Sequence, residues 1–326
     1  MGILPRVGEH VLSASIYTYT ENPMRKIAKS LLVLCVLLLI PTAGTCGGAW
    51  VPEPGKGDVQ LGFSRKTAST SWNRDGDVYT NTNAAGQISY HDFRYTYLSG
   101  EVGLFPRLSA RYLVTYLYGL EGAHIDEEKN VGFSDAWLGL KYALARGDWP
   151  MALAATERTP ILYDLPGAYS RYLFDAQGNR RGVSPEWRGL LKHDYTLTYM
   201  LSHSYDEGRG WMNFEAGYTW REGAPADQVP VYAEVGYPLP WWGLTAKGAI
   251  TYIRSQGNDS PRQPDDRFGS SAILNFNDAS LGKASLAVIV PLNWRGLALE
   301  AGYNQWLWGI SARRYREPYL SLGYQF

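Results

Sequence analysis

Tyr319-Leu320-Ser321-Leu322-Gly323-Tyr324-Gln325-Phe326 alternates strictly. Side chains of a β-strand point to opposite faces in turn, so Leu320, Leu322, Tyr324 and Phe326 share one face, and Ser321, Gly323 and Gln325 share the other. One face is apolar and the other is small or polar. A sheet of such strands meets two different solvents. The rest of the chain decides which face meets which.

The chain has 326 residues, with 31 basic and 31 acidic side chains and no net charge. A nucleic-acid binder would show a basic excess, so that class is excluded. Mean hydropathy is -0.27, which leaves no room for a helical membrane protein. Aromatic residues make up 14%, including 24 Tyr and 12 Trp. This suits a barrel with aromatic girdles at two membrane interfaces. By composition alone, a soluble β-protein with many core aromatics fits equally well.

The amino-terminal region separates the two. Met24-Arg25-Lys26-Ile27-Ala28-Lys29 is basic, Leu31 to Ile40 is an apolar run, and Pro41 is followed by small residues from Thr42 to Ala49. This is the layout of a secretory signal peptide. The apolar run is too short for a transmembrane helix. Residues 1–23 read as a leader extension or a mis-called start, 24–47 as the signal peptide and 48–326 as the mature fold. Cleavage is expected between Thr45 and Ala49. Cys35 and Cys46, the two cysteines, both fall in this region, so the mature fold has no disulfide. Cys46 is a poor lipidation site, because Ala43-Gly44-Thr45-Cys46 lacks the Leu of a lipobox.

Alternating runs of about ten residues follow, the length that a tilted membrane strand needs. They are predicted at 58–67, 93–105, 108–120, 133–144, 151–158, 194–205, 211–220, 229–239, 244–253, 283–292, 297–308 and the carboxy-terminal run. In the second run the apolar parity switches, from Phe93, Tyr95 and Tyr97 to Leu98, Val102 and Leu104. A bulge near Ser99-Gly100 would do this, as would a strand that projects beyond the bilayer. The stretch 268–277 reads either as loop or as part of the tenth strand.

The connections sort by length. Pro106-Arg107, 145–149, 206–210, 240–243 and 293–296 are tight turns, whereas 68–92, 159–193 and 255–282 are long. Short turns at one end and long loops at the other predict an all-β, transmembrane antiparallel up-and-down barrel of about twelve strands, with short periplasmic turns and long extracellular loops. Trp149, Trp241, Trp242 and Trp294 lie in or beside the short turns. They read as a periplasmic girdle, since indole rests at a headgroup boundary.

Arg111, Asp135, Lys141, Glu215, Glu234, Lys247 and Glu300 fall on the parity opposite the apolar residues. Facing lipid at mid-depth would cost Arg or Lys about 2–4 kcal/mol, so these groups are expected in the lumen. They would form either a salt-bridge network that plugs the bore or a polar conduit that selects solutes. Catalytic signals are weak. His203 beside Ser202 and Ser204 is the one arrangement that suggests a membrane-embedded lipid enzyme, and no acid is placed beside it. Asn73, Asp75 and Asp77 lack the full ligand pattern of a calcium loop. No metal or cofactor is expected. The 159–193 loop carries Arg171, Arg180, Arg181 and Arg188, which could face lipopolysaccharide phosphates or fold inward.

The terminal alternation closed by Phe326 resembles the last strand of bacterial outer-membrane barrels. That likeness implies that Tyr324 and Phe326 belong to the signal read by the barrel-assembly machinery. Gly132-Phe133-Ser134-Asp135-Ala136-Trp137-Leu138-Gly139-Leu140-Lys141-Tyr142 is similar to a strand of a transporter-like family labelled "putative MetA-pathway of phenol degradation". Tyr97 to Leu108 is similar to that family's preceding hairpin. Gly48-Ala49-Trp50-Val51-Pro52, with Gly55 and Gly57, resembles the first strand of XagA-like barrels found beside exopolysaccharide genes. Thr159-Pro160-Ile161 departs from the family, which has Pro-Thr-Gly there. The resemblance implies an integral outer-membrane transporter with no catalytic residues. The expected function is passage of small solutes, aromatic or apolar ones included. The alternatives are a non-conducting accessory barrel for exopolysaccharide export or envelope assembly, and a lipid enzyme. The expected partners are outer-membrane lipid and lipopolysaccharide, the assembly machinery and an unidentified solute.

Overall fold

The computed structural model describes residues 48–326 except 74, 83–85, 123–127, 161–170, 175–179, 185–192, 223–225, 241–242, 257–278, 293–295 and 311. For 120–122, 128–130, 171–174 and 180–184 only the backbone is described. The leader and signal segments, Trp241, Trp242 and Trp294, and the stretch 268–277 therefore lie outside the described residues.

Twelve antiparallel strands close on themselves into a transmembrane barrel. In chain order they are β1 (Gly57–Ala68), β2 (Tyr90–Phe105), β3 (Leu108–Gly122), β4 (Ala136–Ala145), β5 (Met151–Thr159) and β6 (Asp194–Tyr205). There follow β7 (Gly210–Arg221), β8 (Gln228–Pro238), β9 (Thr245–Ser255), β10 (Ser280–Pro291), β11 (Leu297–Ile310) and β12 (Arg316–Gln325). Each strand pairs with the next. β12 closes the ring on β1 with Leu61 opposite Leu322 and Gly62 opposite Ser321. Gly57 and Phe326 seal the seam by exchanging backbone hydrogen bonds of 3.0 and 2.9 Å. Closure leaves the twelve-strand ring without an unpaired edge.

The two faces invert the order of a soluble protein. Leu286 is 73% exposed, Ile250 64% and Phe63 50%, whereas Asp135, Lys141 and Ser109 are fully buried. A wall of exposed Leu, Ile and Phe would drive association in water. In a bilayer it is the solvated side. The alternation in β12 follows the same rule, with Leu320 and Leu322 outside and Ser321 buried.

Four irregularities interrupt the ladders of the ring among the described residues. Glu128–Phe133 pairs with β3 ahead of β4, and the chain bulges at Ser134-Asp135 between the two segments. The register shifts near the ends of β2 and β4, and again between Gly282 and Lys283 on β10. Lys283 opposite Trp306 ends the regular register, and the shift then sets Gly282 opposite Trp308, with Leu307 as the extra residue on β11. Trp306 is buried on the inner parity, while Trp308 is turned outward, 38% exposed, and stacks on Tyr252.

Of the two readings of the parity switch, the bulge at Ser99-Gly100 is absent. The β1–β2 ladder runs without interruption from Gly57–Val102 to Ala68–His91. The apolar parity switches because Phe93, Tyr95 and Tyr97 line the extracellular half of the interior, while Leu98 and Leu104 face outward. The stretch Gly48–Lys56, which resembles a first wall strand, is not one. It meets the wall through a bridge between Pro54 and Gly103.

Candidate functional site

The periplasmic half of the interior is filled by the chain itself. Gly55 N donates to Gly103 O on β2 at 2.9 Å, and Gly103 N donates to Lys56 O at 2.9 Å. Ala49 N donates to Ser202 Oγ on β6 at 2.7 Å. β2 and β6 lie four strands apart in the twelve-stranded ring, so residues 49–54 pass through the bore from one to the other rather than following the wall. Ala49 is 1% exposed and packs with Ala152, Ala154 and Met200. Small residues make this contact possible. A Cβ at Gly103 would collide with the carbonyl oxygens of Pro52 and Glu53. Gly48 has φ +60°, and a Cβ there would collide with Asn213 and Ser202.

Lys141 fastens this segment. Its ammonium donates to Gly48 O at 3.0 Å and to Trp50 O at 2.6 Å. Glu101 Oε1, 2.7 Å away, neutralises it. Ser109 Oγ also donates to Glu101 at 2.5 Å, and Arg111 Nε lies 3.5 Å from Glu101 Oε2. An ammonium this buried is tolerated because every proton finds an acceptor.

A second network runs around the facing wall. Ser202 Oγ donates to Asn213 Oδ1 at 2.7 Å, and Asn213 Nδ2 donates to Glu234 at 3.0 Å. Trp211 Nε1 donates to the same carboxylate at 2.7 Å. Lys247 Nζ lies 3.8 Å from Glu234 and 2.5 Å from Glu300. Tyr319 OH donates to Glu300 at 2.6 Å. Ser202 joins this chain to Ala49, so both networks end on the same crossing segment.

The extracellular half is built differently. Asp135 meets Arg158 at 2.6 Å, and Arg158 and Arg221 each lie 3.5 Å from Asp194. Nearer β12, Phe93, Tyr95, Trp306 and Tyr315 form an aromatic wall. Phe93 and Tyr315 are 6.4 Å apart, and Trp306 and Tyr315 are 5.5 Å apart, both edge-on. Three short segments, Thr70–Trp72, Val78–Thr80 and Ala312–Arg313, form a small sheet beside this wall. Trp72, 3% exposed, packs there against Trp306 and Ala312. Burial pushes the Tyr315 hydroxyl above its ordinary pKa, against the opposing pull of Arg313. It stays protonated.

The structure thus brings Arg111 and Lys141 together, and Glu234, Lys247 and Glu300 together. Asp135 belongs to a separate group near the long loops. Glu215 is half-buried on the inner parity and forms no ion pair among the described residues. Trp149 is 49% exposed and stacks on His203 at 4.3 Å. Tyr324 and Phe326 stack at 6.3 Å. Sequence reasoning missed Glu101, Asn213, Arg158, Lys66 and Lys283, and it read Ser202 only as a neighbour of His203. Counting back from the Pro106-Arg107 turn sets Glu101 opposite Tyr112, and only the register shift near Gly103 brings it opposite Arg111.

Ser202 and His203 point to opposite faces of β6. Ser202 bonds inward to Asn213, whereas His203 Nδ1 lies 2.7 Å from Asp148 O beside Trp149. Ser202 and His203 therefore do not pair. Asn73 Oδ1 accepts from the backbone N–H groups of Asp75 and Asp77 at 2.9 and 2.8 Å. Its side chain closes its own turn. Among the described residues no cluster of His, Cys, Asp or Glu could hold a metal ion. A groove of about 650 Å³ lined by Ala110, Leu140, Ala155, Leu197 and Trp220 lies on the outer wall and faces lipid.

No protein-family profile matches the chain. No curated protein matches it either. The family likeness read at Tyr97 to Leu108 and Gly132 to Tyr142 therefore rests on those residues alone. Solved structures do match. An outer membrane channel from Pseudomonas putida F1 superposes with TM-score 0.56 at 11% identity, covering 87% of this chain and 100% of that one. The translocator domain of the autotransporter NalP from Neisseria meningitidis gives 0.42 at 10% identity, covering 93% and 96%. The monoaromatic hydrocarbon channel CymD gives 0.43 at 8% identity, covering 84% and 89%. The first of these likenesses establishes the fold, a twelve-stranded outer-membrane-type barrel.

Proposed function

We propose that the protein is an integral outer-membrane channel for small solutes, shut at its periplasmic end by its own residues 48–56. The observation that carries this reading is the crossing segment held by Lys141. A barrel serving only as a rigid scaffold could fill its bore with wall side chains. Here a separable strand of backbone does so, held by hydrogen bonds from the wall and by one small apolar contact. Such a segment can withdraw without breaking the barrel ladder. The aromatic wall of the extracellular half supports small aromatic or apolar solutes, which would shed water against Phe93, Tyr95 and Trp306.

Planar-bilayer recording tests the reading. The wild-type protein should show small or infrequent openings. A variant lacking residues 48–53 should conduct more, with the same heat-modifiable barrel on gels. A deletion variant that folds yet conducts nothing at any voltage would reject the channel.

A further inference from the structure

The mixed charges of the interior are not evenly matched. Near Trp306, two ammonium groups face one carboxylate. Lys66 on β1 places Nζ 5.7 Å from the Trp306 ring centre and 4.6 Å from that of Tyr95. Lys283 on β10 places Nζ 5.4 Å from the same Trp306 ring. Glu317 is the carboxylate, 3.7 Å from Lys66. It also accepts from Asn304 Nδ2 at 3.0 Å. Among the described residues no carboxylate lies within ion-pair distance of Lys283. The aromatic face of Trp306 is its near contact.

This arrangement costs energy unless something completes it. Two like charges gathered on one indole repel each other, and the repulsion is strong inside a low-dielectric wall. A cation–π contact recovers only part of what an ammonium loses on leaving water. Lys66 keeps 28% of its side chain exposed, and Lys283 is half-buried. Both can therefore be reached from within the barrel. The β10–β11 ladder makes the geometry possible. Its register runs unbroken from Pro291 opposite Ala298 to Lys283 opposite Trp306, which keeps that indole on the inner parity of Glu300 and Asn304.

We infer that Lys66, Lys283 and the Trp306 face form a binding site for a small organic anion: a carboxylate with a flat apolar body. The carboxylate would lie between the two ammonium groups, and its body would rest on the aromatic wall of Tyr95, Trp306 and Tyr315. A neutral aromatic would leave Lys283 uncompensated. An inorganic anion would leave the aromatic surface unused. This inference names the solute class and rests on the channel reading for its biological meaning, although the site itself is defined without flux.

Isothermal titration of the purified full barrel in detergent tests it, with benzoate as probe and benzyl alcohol and acetate as comparators. Benzoate should bind saturably, at least tenfold more tightly than either comparator. Lys283→Met should weaken benzoate binding at least tenfold and leave benzyl alcohol unchanged. Lys283→Arg should restore benzoate binding, which guards against a merely structural effect. Equal binding of benzoate and benzyl alcohol, or of benzoate and acetate, would overturn the proposal. So would undiminished benzoate binding by a folded Lys283→Met barrel. Binding without conductance would sink the channel reading and spare this site. Conductance without benzoate binding would do the reverse.

Discussion

Lys141 and Gly48 are 93 positions apart in sequence, yet the Lys141 ammonium donates to the Gly48 carbonyl at 3.0 Å. The crossing segment is therefore tied to the wall by a charged donor on β4 whose own counter-ion, Glu101, sits two strands away on β2. Replacing Lys141 by Met removes both bonds to the segment and leaves Glu101 with Ser109 and Arg111. Breaking a buried pair in this way costs about 3–5 kcal/mol. The expected outcome is a barrel that unfolds at lower urea concentration and opens more often in a planar bilayer. Unchanged gating in a Lys141→Met barrel would mean that Lys141 does not hold the segment shut.

Lys247 stands between two carboxylates, and its removal should hurt more than removal of either acid. Lys247→Met strands Glu234 and Glu300 together on the inner wall. Glu300→Gln leaves Lys247 with Glu234, 3.8 Å away. The first change should cost about 3–5 kcal/mol and the second distinctly less. The double variant should be more stable than the sum of the singles, because removing Glu300 along with Lys247 relieves the repulsion between Glu300 and Glu234. Urea-gradient unfolding of all three variants reads this directly. Strict additivity would show that the pair is uncoupled.

Much of the fold is legible in the sequence because alternation is a local property. Leu320, Leu322 and Tyr324 declare their face without reference to any other strand, and the short turns declare which strands are neighbours. The interior is less legible, for particular reasons. Gly48–Lys56 has no periodicity, so nothing local distinguishes a stretch that crosses the bore from one that trails outside it. Trp306 and Trp308 share a parity in sequence, and only the register shift at Lys283 sends one inward and the other toward lipid. Phe93, Tyr95 and Tyr97 break the rule that apolar residues face lipid, because the extracellular half of the interior is itself aromatic. Parity assigns a charged residue to a face. It does not assign the partner across the ring, so the contact between Lys141 and Gly48 could not be read in advance.

The ends of the barrel can be assigned by labelling. Asp75 is exposed in the long connection after β1, and Arg146 is exposed in the short turn after β4. In a background without Cys46, Asp75→Cys should react with an impermeant thiol reagent on intact cells. Arg146→Cys should react only after the outer membrane is opened. Equal reaction of both on intact cells would contradict the orientation.

Trp72 tests whether the small sheet at the extracellular end is a separable cap. It is 3% exposed and packs on Trp306 and Ala312, and a Cβ at Gly309 would run close to its ring. Truncating a buried Trp to Ala costs about 3–5 kcal/mol. That cost should fall on the cap alone, because Thr70–Trp72 pairs with Ala312–Arg313 and Val78–Thr80, outside the twelve-strand ladder. Trp72→Ala should therefore make the 69–89 connection a site of rapid proteolysis on intact cells. Heat-modifiability and urea unfolding of the barrel should stay near wild type. Local openings of this kind are independent of global unfolding when few contacts join the unit to the rest. If Trp72→Ala instead lowers barrel stability by the full amount with no gain in loop cleavage, the cap is part of the wall, and the aromatic surface around Trp306 is fixed by the fold as a whole.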